Sequence, residues 1–236
     1  MSEQRTEEWF RERLGCVSSS TIADVLAKPL RGAKESAGRR NLKARLVCEI
    51  LTGRREDEYM TWDMQRGIQL EPLAVTEYEL KTGRDTETVG FVLHPSIPRA
   101  GASPDRLVEA DGLLEVKCPK AANHLDYIRG GIVPVEYRKQ MLWEMACTGR
   151  QWVDFVSYSP ACPDHLQTFI ARLRRDDVLI QEIEAEVVRF NAEVDEVLAD
   201  LPKEGEPSEL EQQLVASIAA VNADKNLGIT DEDVPF

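Results

Sequence analysis

Three charged residues, Asp105, Glu115 and Lys117, are spaced so that the pairing of two strands would bring their side chains together. Between them lies Asp111-Gly112, a dipeptide typical of hairpin turns, followed by apolar residues that predict a short strand. Because side chains alternate between the two faces of a strand, Glu115 and Lys117 point the same way, and Asp105 on the preceding strand can face them. Two carboxylates are the hard oxygen ligands that suit Mg²⁺, and a neighbouring ammonium suits a water that attacks a phosphate.

The order Pro104-Asp105, then Glu115-x-Lys117, resembles the PD-(D/E)xK signature of nucleases. These residue types are common on protein surfaces, so the same stretch is also compatible with a solvated hairpin edge. The motif alone leaves both interpretations open, and the choice depends on the rest of the chain.

The composition describes a chain that can bury a sizeable core and that has no membrane-spanning segment. Of its 236 residues 42% are hydrophobic. No run of about 18 apolar residues occurs. The first 15 residues are polar, which excludes a secretory signal. The five cysteines follow neither metal-ligand nor disulfide spacing, so we expect a cytoplasmic protein.

The net charge of −13 is unevenly distributed along the chain. Residues 176–202 and 203–236 have net charges of −8 and −6, whereas residues 28–55 carry +7. Because phosphate contact depends on local charge, the basic segment predicts a DNA-binding surface, with a solvated helix face as the alternative. The candidate DNA contacts in this segment are Arg31, Lys34, Arg39 and Arg40.

Hydrophobic periodicity divides the chain into helices and strands. Helices are predicted at residues 6–14, 18–27, 39–52, 61–81, 121–129, 135–148 and 176–200. Strands are predicted at residues 87–93, 99–102, 105–109, 113–117, 151–158 and 166–173. This order predicts an α/β sandwich, with a mixed central β-sheet flanked by helices.

A series of short sequence blocks, each present once, is spread in a fixed order over most of the chain. The blocks are Trp9, Arg13-Leu14-Gly15, Ser18-Ser19-Ser20, Ala27-Lys28-Pro29, Gly67 to Glu71, Ser103-Pro104-Asp105, Glu115 to Pro119, Tyr137 to Gln140, and Trp143. Together they resemble the bacteriophage lambda exonuclease family, the alkaline exonucleases of viral recombination systems. The resemblance spans about residues 5–200 and implies a single restriction-endonuclease-like PD-(D/E)xK domain at residues 1–202. Residues 203–236 would then be an acidic C-terminal linker and tail.

The resemblance assigns catalytic roles to six positions. It implies four metal ligands, which are the carboxylates of Asp105, Glu115 and Glu71 and the backbone carbonyl of Val116. Lys117 matches the lysine that orients or deprotonates the attacking water, and Gln140 matches a polar residue at the rear of the site. Without the resemblance, Glu71 would be a helix-surface glutamate and Gln140 an ordinary helix amide.

The resemblance also implies a seat for the 5′-phosphate of DNA. Arg13 matches the arginine that holds this phosphate, and the hydroxyls of Ser20, Ser18 and Ser103 match positions near it. An arginine fork beside hydroxyl donors at a helix N-terminus suits a phosphate. An N-cap serine and a surface arginine are the alternative. Met64 matches an apolar wedge that parts the terminal base pair, with a buried core methionine as the alternative.

One position departs from the family pattern. Where the family has a basic residue shortly after the Cys-Pro that follows the lysine strand, this chain has Asn123, with Lys120 and Arg129 nearby. The departure concerns a local phosphate contact and the processivity that depends on it.

The function implied by the resemblance is a Mg²⁺-dependent exonuclease, with Mn²⁺ as a substitute, that digests duplex DNA 5′→3′. It would release 5′-mononucleotides and leave a 3′ single strand for annealing-type recombination. The family implies a homotrimeric ring around DNA and a single-strand annealing protein as partner. The setting would be the cytoplasm of a bacterial host, with a phage or prophage gene. A restriction-like endonuclease and a catalytically silent DNA-end-binding module are the alternatives.

The acidic end of the chain suggests a separate docking function. Residues 203–210 are typical of a linker, and residues 211–222 could form a short helix. The last six residues, three acids followed by Val-Pro-Phe, resemble the tip of bacterial single-stranded DNA-binding proteins. Residues 226–236 would therefore recruit a replication or annealing partner. The alternative is a tail that only aids solubility.

Overall fold

The protein is described by a computed structural model, which covers residues 4–29, 32–56, 60–202 and 213–219. The chain divides into two compact units, Met1–Asp195 and Glu196–Phe236. In the second unit, residues 213–219 form a helix, inside the predicted helical segment. The predicted linker and the acidic end lie outside the described residues, so the domain boundary after residue 202 stays a prediction.

A five-stranded mixed sheet forms the centre of the first unit, with the strand order β1-β4-β5-β6-β7. Its strands are β1 (Thr86–Glu87), β4 (Arg106–Val108), β5 (Gly112–Lys117), β6 (Trp152–Tyr158) and β7 (Thr168–Arg174). The pair β5–β6 is parallel and the other pairs are antiparallel. Every residue of β6 is buried, as expected for an apolar strand covered on both faces. The predicted fold class is confirmed.

The single strand predicted at residues 87–93 is wrong, because this stretch contributes to two different sheets. Its first part is β1, and its last part is β2 (Val92–Leu93), which pairs with β3 (Gly101–Ala102) in a separate two-stranded sheet. Between them Phe91 is buried against Gly101, where an added Cβ would lie 2.5 Å from the Phe91 ring. This long-range packing draws the chain out of the main sheet.

Among the described residues up to Asp200, seven α-helices lie in the predicted segments, most with shifts of a few residues. They are α1 (Glu7–Glu12), α2 (Ile22–Val25), α3 (Ala37–Thr52), α4 (Trp62–Thr82), α5 (Ala121–Gly130), α6 (Val135–Thr148) and α7 (Asp177–Asp200). The helix predicted at residues 18–27 is instead a 3₁₀ turn, Ser19–Thr21, followed by the short α2. In the part of the chain that the structure describes, no helix is long and apolar enough to cross a membrane.

The two faces of the main sheet are covered by different helices. Helix α4 packs Tyr78 and Ala74 against Leu114 and Val116 of β5. On the opposite face lies Glu115, which meets α6. The alternation of side chains along β5 therefore places Leu114 and Val116 against α4, and Glu115 and Lys117 on the opposite face, where α6 lies.

The hairpin between β4 and β5 turns at residues 109–111, slightly before the predicted turn, and Gly112 is the first residue of β5. Glu109 takes the left-handed conformation, with φ of 49°. At Gly112 an added Cβ would lie 2.1 Å from the Trp152 ring on β6. Gly112 is thus required by close packing with Trp152 rather than by the turn.

We expect Gly112→Ala to lower the free energy of unfolding by about 1–3 kcal/mol, because Trp152 must shift to admit the methyl group. Denaturant unfolding measures the change. Gly130→Ala is the control, since a Cβ at Gly130 meets no atom within 4 Å. Equal stabilities for the two variants would contradict the packing role of Gly112.

Candidate active site

The predicted trio of Asp105, Glu115 and Lys117 comes together at one end of β5. Asp105 directly precedes β4, and its Oδ2 accepts a 2.7 Å hydrogen bond from the Val116 backbone N–H. The Glu115 side chain is only 2% exposed, and its Oε1 accepts a hydrogen bond from Lys117 Nζ. Pairing within the sheet therefore holds two carboxylates and one ammonium in the same cleft.

The electrostatics of this trio are dominated by burial and by the closeness of the carboxylates. Burial, together with the negative charge of Glu115, raises the pKa of Asp105 well above its usual range. Burial opposes the charged form of Lys117, but the negative charges of Glu115 and Asp105 outweigh it and raise the pKa of Lys117. Buried negative charge of this kind suits a bound cation.

Helix α6 brings Gln140 and Tyr137 to the rear of the cleft. Gln140 Nε2 donates a 2.5 Å hydrogen bond to Glu115 Oε1. The Tyr137 ring centroid lies 5.2 Å from Lys117 Nζ, within the range of a cation–π contact. Gln140 is therefore part of the cluster and not an ordinary helix amide at the surface.

Glu71 reaches the same cleft from α4. Its side chain is 13% exposed, which does not fit a helix-surface glutamate. The Glu71 carboxylate pairs with Arg5, and Arg106 Nη1 lies 3.6 Å from its Oε1. Arg5 and Arg106, which the sequence did not indicate, hold Glu71 beside the trio and offset its charge.

The donor types at the cleft fit a hard divalent cation. Asp105, Glu115 and Glu71 offer carboxylate oxygens. The Val116 N–H points toward Asp105, and the N–H and C=O of one strand residue point to the same side, so the Val116 carbonyl faces that side as well. Within the described residues no three Asp, Glu, His or Cys side chains form a closed metal-binding group.

A small cavity of about 160 Å³ lies beside this cleft and contains three of the four predicted phosphate ligands. Arg13 Nη2 lies 3.4 Å from Ser18 Oγ, and Ser18 Oγ lies 3.2 Å from Ser20 Oγ. Ser103 is not among the lining residues, and its hydroxyl accepts a 3.0 Å hydrogen bond from Trp9 Nε1. The structure thus gathers Arg13, Ser18 and Ser20 in this cavity and leaves Ser103 outside it.

The small cavity and the acidic cleft, whose volume is about 760 Å³, share one wall. Trp9, Phe10 and Arg55 line both. The Arg13 guanidinium lies 4.0 Å above the Trp9 ring and is fixed by that contact. Met64, 48% exposed, also lines the acidic cleft, so the alternative of a buried core methionine is wrong.

The sequence did not single out Arg45 and Arg55 as members of the small cavity, although both lie in the basic segment. Arg55 stacks over Phe10, with 4.4 Å between its guanidinium carbon and the ring centroid. The sequence signal for both was their place in this segment, but charge density alone could not show which arginines converge.

The predicted DNA-binding surface loses Arg39. Its side chain is 9% exposed and forms ion pairs with Glu193 at 2.7 Å and Glu186 at 2.9 Å, both on α7. Arg39 therefore ties α3 to α7 and is not available to phosphates. Lys34 and Arg40 are exposed, and Arg31 lies outside the described residues.

The position that departs from the family pattern lies in the first turn of α5. Asn123 is exposed there. Of the neighbouring basic residues, Lys120 pairs with Asp63 at 3.1 Å and Arg129 with Asp126 at 3.7 Å. All four of these charged side chains are largely exposed, so the pairs leave the basic residues within reach of solvent and of a phosphate.

The chain belongs to the family of YqaJ-like viral recombinase domains. Residues 8–151, more than half of the protein, match that family. The resemblance predicted from the sequence is confirmed. No protein of curated function matches the chain.

Solved structures agree with this assignment. The alkaline exonuclease LHK-Exo from Laribacter hongkongensis is 44% identical over 92% of this chain and 100% of that chain, with a TM-score of 0.76. LHK-Exo in complex with dAMP is 47% identical over 82% of this chain and 95% of that chain, with a TM-score of 0.77. A phage related exonuclease from Haemophilus somnus 129PT, 16% identical over 79% of this chain and 96% of that chain, has a TM-score of 0.60 and shares the fold.

We expect Arg39→Met to lower the free energy of unfolding by about 1–3 kcal/mol, because it removes a largely buried cation that pairs with both Glu193 and Glu186. Duplex binding by the Arg39→Met variant should depend on salt concentration as steeply as duplex binding by the unmodified protein. Arg40→Met, the control one residue along α3, should keep its stability. If Arg40 contacts a phosphate, Arg40→Met lowers the slope of log K against log salt by roughly 0.9.

Thermal unfolding and duplex binding at several salt concentrations measure both properties. If Arg39→Met lowered the salt slope and left the stability unchanged, Arg39 would be a DNA contact and not a link between α3 and α7.

Proposed function

We propose that the protein is a Mg²⁺-dependent exonuclease that digests the 5′-ended strand from duplex DNA ends. The product is a 3′ single strand for annealing-type recombination. The observation that carries the proposal is the pairing of an acidic cleft with a phosphate-sized basic cavity across one shared wall. The relatives support it, since LHK-Exo is an alkaline exonuclease, and a complex of it holds dAMP, a deoxynucleoside monophosphate.

Different residues of the cleft would bind the metal and orient the attacking water. Asp105, Glu115 and the Val116 carbonyl would hold Mg²⁺, or Mn²⁺ in its place, with Glu71 as a further ligand once it leaves Arg5. The bound cation would offset charge that develops on the scissile phosphate. Lys117, whose raised pKa keeps it an ammonium, would orient the attacking water from its position beside Glu115.

Polarity follows from the small cavity. A 5′-phosphate held by Arg13, with hydroxyl donors from Ser18 and Ser20, places the first phosphodiester of that strand toward the acidic cleft. Ser103 contributes indirectly, because its hydrogen bond fixes Trp9 in the wall. Hydrolysis at that bond releases a 5′-mononucleotide and brings the next phosphate into reach.

Duplex specificity would depend on residues other than the proposed metal ligands. Met64, exposed at the cleft, would part the terminal base pair, while Lys34, Arg40 and Arg31 would contact the duplex backbone. A homotrimeric ring around DNA and a single-strand annealing protein as partner follow from the family resemblance. Docking of a partner through residues 226–236 remains a prediction from the sequence.

Removing either central carboxylate tests the chemistry. We expect Asp105→Ala or Glu115→Ala to lower cleavage by about 10³-fold or more and to leave DNA-end binding in place. The lost stabilisation of the transition state amounts to several kcal/mol. Lys117→Ala should be similarly inactive. Glu87→Ala, at an exposed position of β1, is the control.

The readouts are digestion of linear duplex with Mg²⁺ or EDTA, and end binding without metal. Near-normal Mg²⁺-dependent digestion by Asp105→Ala would show that the assignment of the site is wrong. A protein that binds duplex ends but never cleaves them would instead be the silent end-binding module.

Replacing Arg13 tests the polarity. Arg13→Ala should abolish the preference for 5′-phosphorylated over 5′-hydroxyl ends and shorten the digestion runs, because a charge-assisted contact to the phosphate is lost. Arg11→Ala, on the same short helix and paired with Glu7 at the surface, is the matched control. Equal losses of digestion rate on 5′-phosphorylated and 5′-hydroxyl ends would show that Arg13 does not bind the 5′-phosphate.

A further inference from the structure

Glu144 is a completely buried carboxylate at the rear of the cleft to which the family resemblance assigns no role. It lies on α6, one turn after Gln140, and its side chain has 0% exposure. Gln140 Nε2 donates hydrogen bonds to Glu144 Oε1 at 3.0 Å and to Glu115 Oε1 at 2.5 Å. A single amide nitrogen thus joins Glu144 to a proposed metal ligand.

The two carboxylates determine which way the Gln140 amide faces. A glutamine amide has two N–H donors on its nitrogen and only acceptor capacity on its oxygen, and a carboxyl oxygen that carries no proton also only accepts. Reversing the amide would place its oxygen against two carboxylate oxygens and lose both hydrogen bonds. With Glu115 and Glu144 on the nitrogen side, the Gln140 Oε1 must point away from both, where it can accept a hydrogen bond.

The remaining oxygen of Glu144 does not contribute to the stability of the fold. Among the described residues, Glu144 Oε2 is buried and has no hydrogen-bond partner. Burial, and then the negative charge of Glu115, raises the pKa of Glu144 well above its usual range. A buried carboxylate with an unsatisfied oxygen costs folding free energy, and an apolar side chain of similar volume would avoid this cost.

We infer that Glu144 is a positioning residue that fixes the amide of Gln140, and through it the carboxylate of Glu115, for the nuclease reaction. The inference rests on the proposed function and adds a residue to it. The i, i+4 spacing on α6 gives the contact a fixed geometry. Without the Glu144 acceptor, the Gln140 amide rotates, and Glu115 loses a neutral donor that holds it in place.

The test compares Glu144→Leu, which removes the acceptor at similar volume, with Glu144→Gln, which keeps an acceptor oxygen. Glu136→Leu, an exposed glutamate of the same helix, is the matched control. Three quantities are measured: the melting temperature in EDTA, Mg²⁺ binding by calorimetry, and the rate of duplex digestion against Mg²⁺ concentration.

We expect Glu144→Leu to melt at or above the temperature of the unmodified protein and to lose roughly 10- to 100-fold in Mg²⁺ affinity or cleavage rate, the usual effect of removing a partner of a metal ligand. Glu144→Gln should stay within a few-fold of the unmodified protein. Gln140→Ala should show the same loss, and adding Glu144→Leu to it should cost no more, because both act through one amide.

Unchanged Mg²⁺ affinity and rate in Glu144→Leu would overturn the inference, as would losses that multiply in the double variant. A Glu144→Gln variant as impaired as Glu144→Leu would also overturn it, because charge rather than the acceptor would then matter. If Glu144→Leu does not fold, Glu144→Met takes its place. Absence of cleavage by the unmodified protein would refute the proposed function, while calorimetry would still decide the role of Glu144.

Discussion

The crowding of carboxylates around one ammonium is the constraint on which the site depends. Asp105 and Glu115 are held in an interior that raises the pKa of Asp105, and each needs donors to remain there. The Val116 N–H, Lys117 and Gln140 supply them. These donors come from β5 and from α6, so the contacts that satisfy the acids also set the distance between the sheet and the helix. The excess of negative charge costs folding stability and favours a cation.

A second constraint is the position of Trp9 between Arg13 and the segment that carries Asp105. Trp9 accepts the Arg13 guanidinium on its ring and donates to Ser103, which lies two residues before Asp105. One indole therefore connects the cavity that contains Arg13 with the segment between β3 and β4 that carries Asp105. The same ring lines both cavities, so their shared wall depends on the position of Trp9. If the proposed function holds, a DNA strand whose 5′ end is bound at Arg13 would meet the carboxylates from one side only.

Local patterns were readable from the sequence, and long-range contacts were not. The Glu-x-Lys strand and the long helices follow from alternation and periodicity within a few residues. The break between β1 and β2 depends on Phe91 meeting Gly101, and the burial of Arg39 depends on Glu193 across 154 positions. Glu144 carried no local sign of burial beside the acids, because its environment is made by strands that lie far from it in sequence. Alternation placed Glu115 in the cleft, but only the fold showed its partners.

The order in which the two ends of one strand are released tests directly whether the protein digests duplex DNA in the 5′→3′ direction. The substrate is a linear duplex with 5′-phosphates, carrying one dye on the 5′-terminal nucleotide and another on the 3′-terminal nucleotide of the same strand. With Mg²⁺, we expect the 5′ dye to appear first, on a mononucleotide, while the 3′ dye stays on a shortening strand. Closed circular duplex should remain intact. Release of the 3′ dye first, or cutting of the closed circle, would show that the protein is not a 5′→3′ exonuclease.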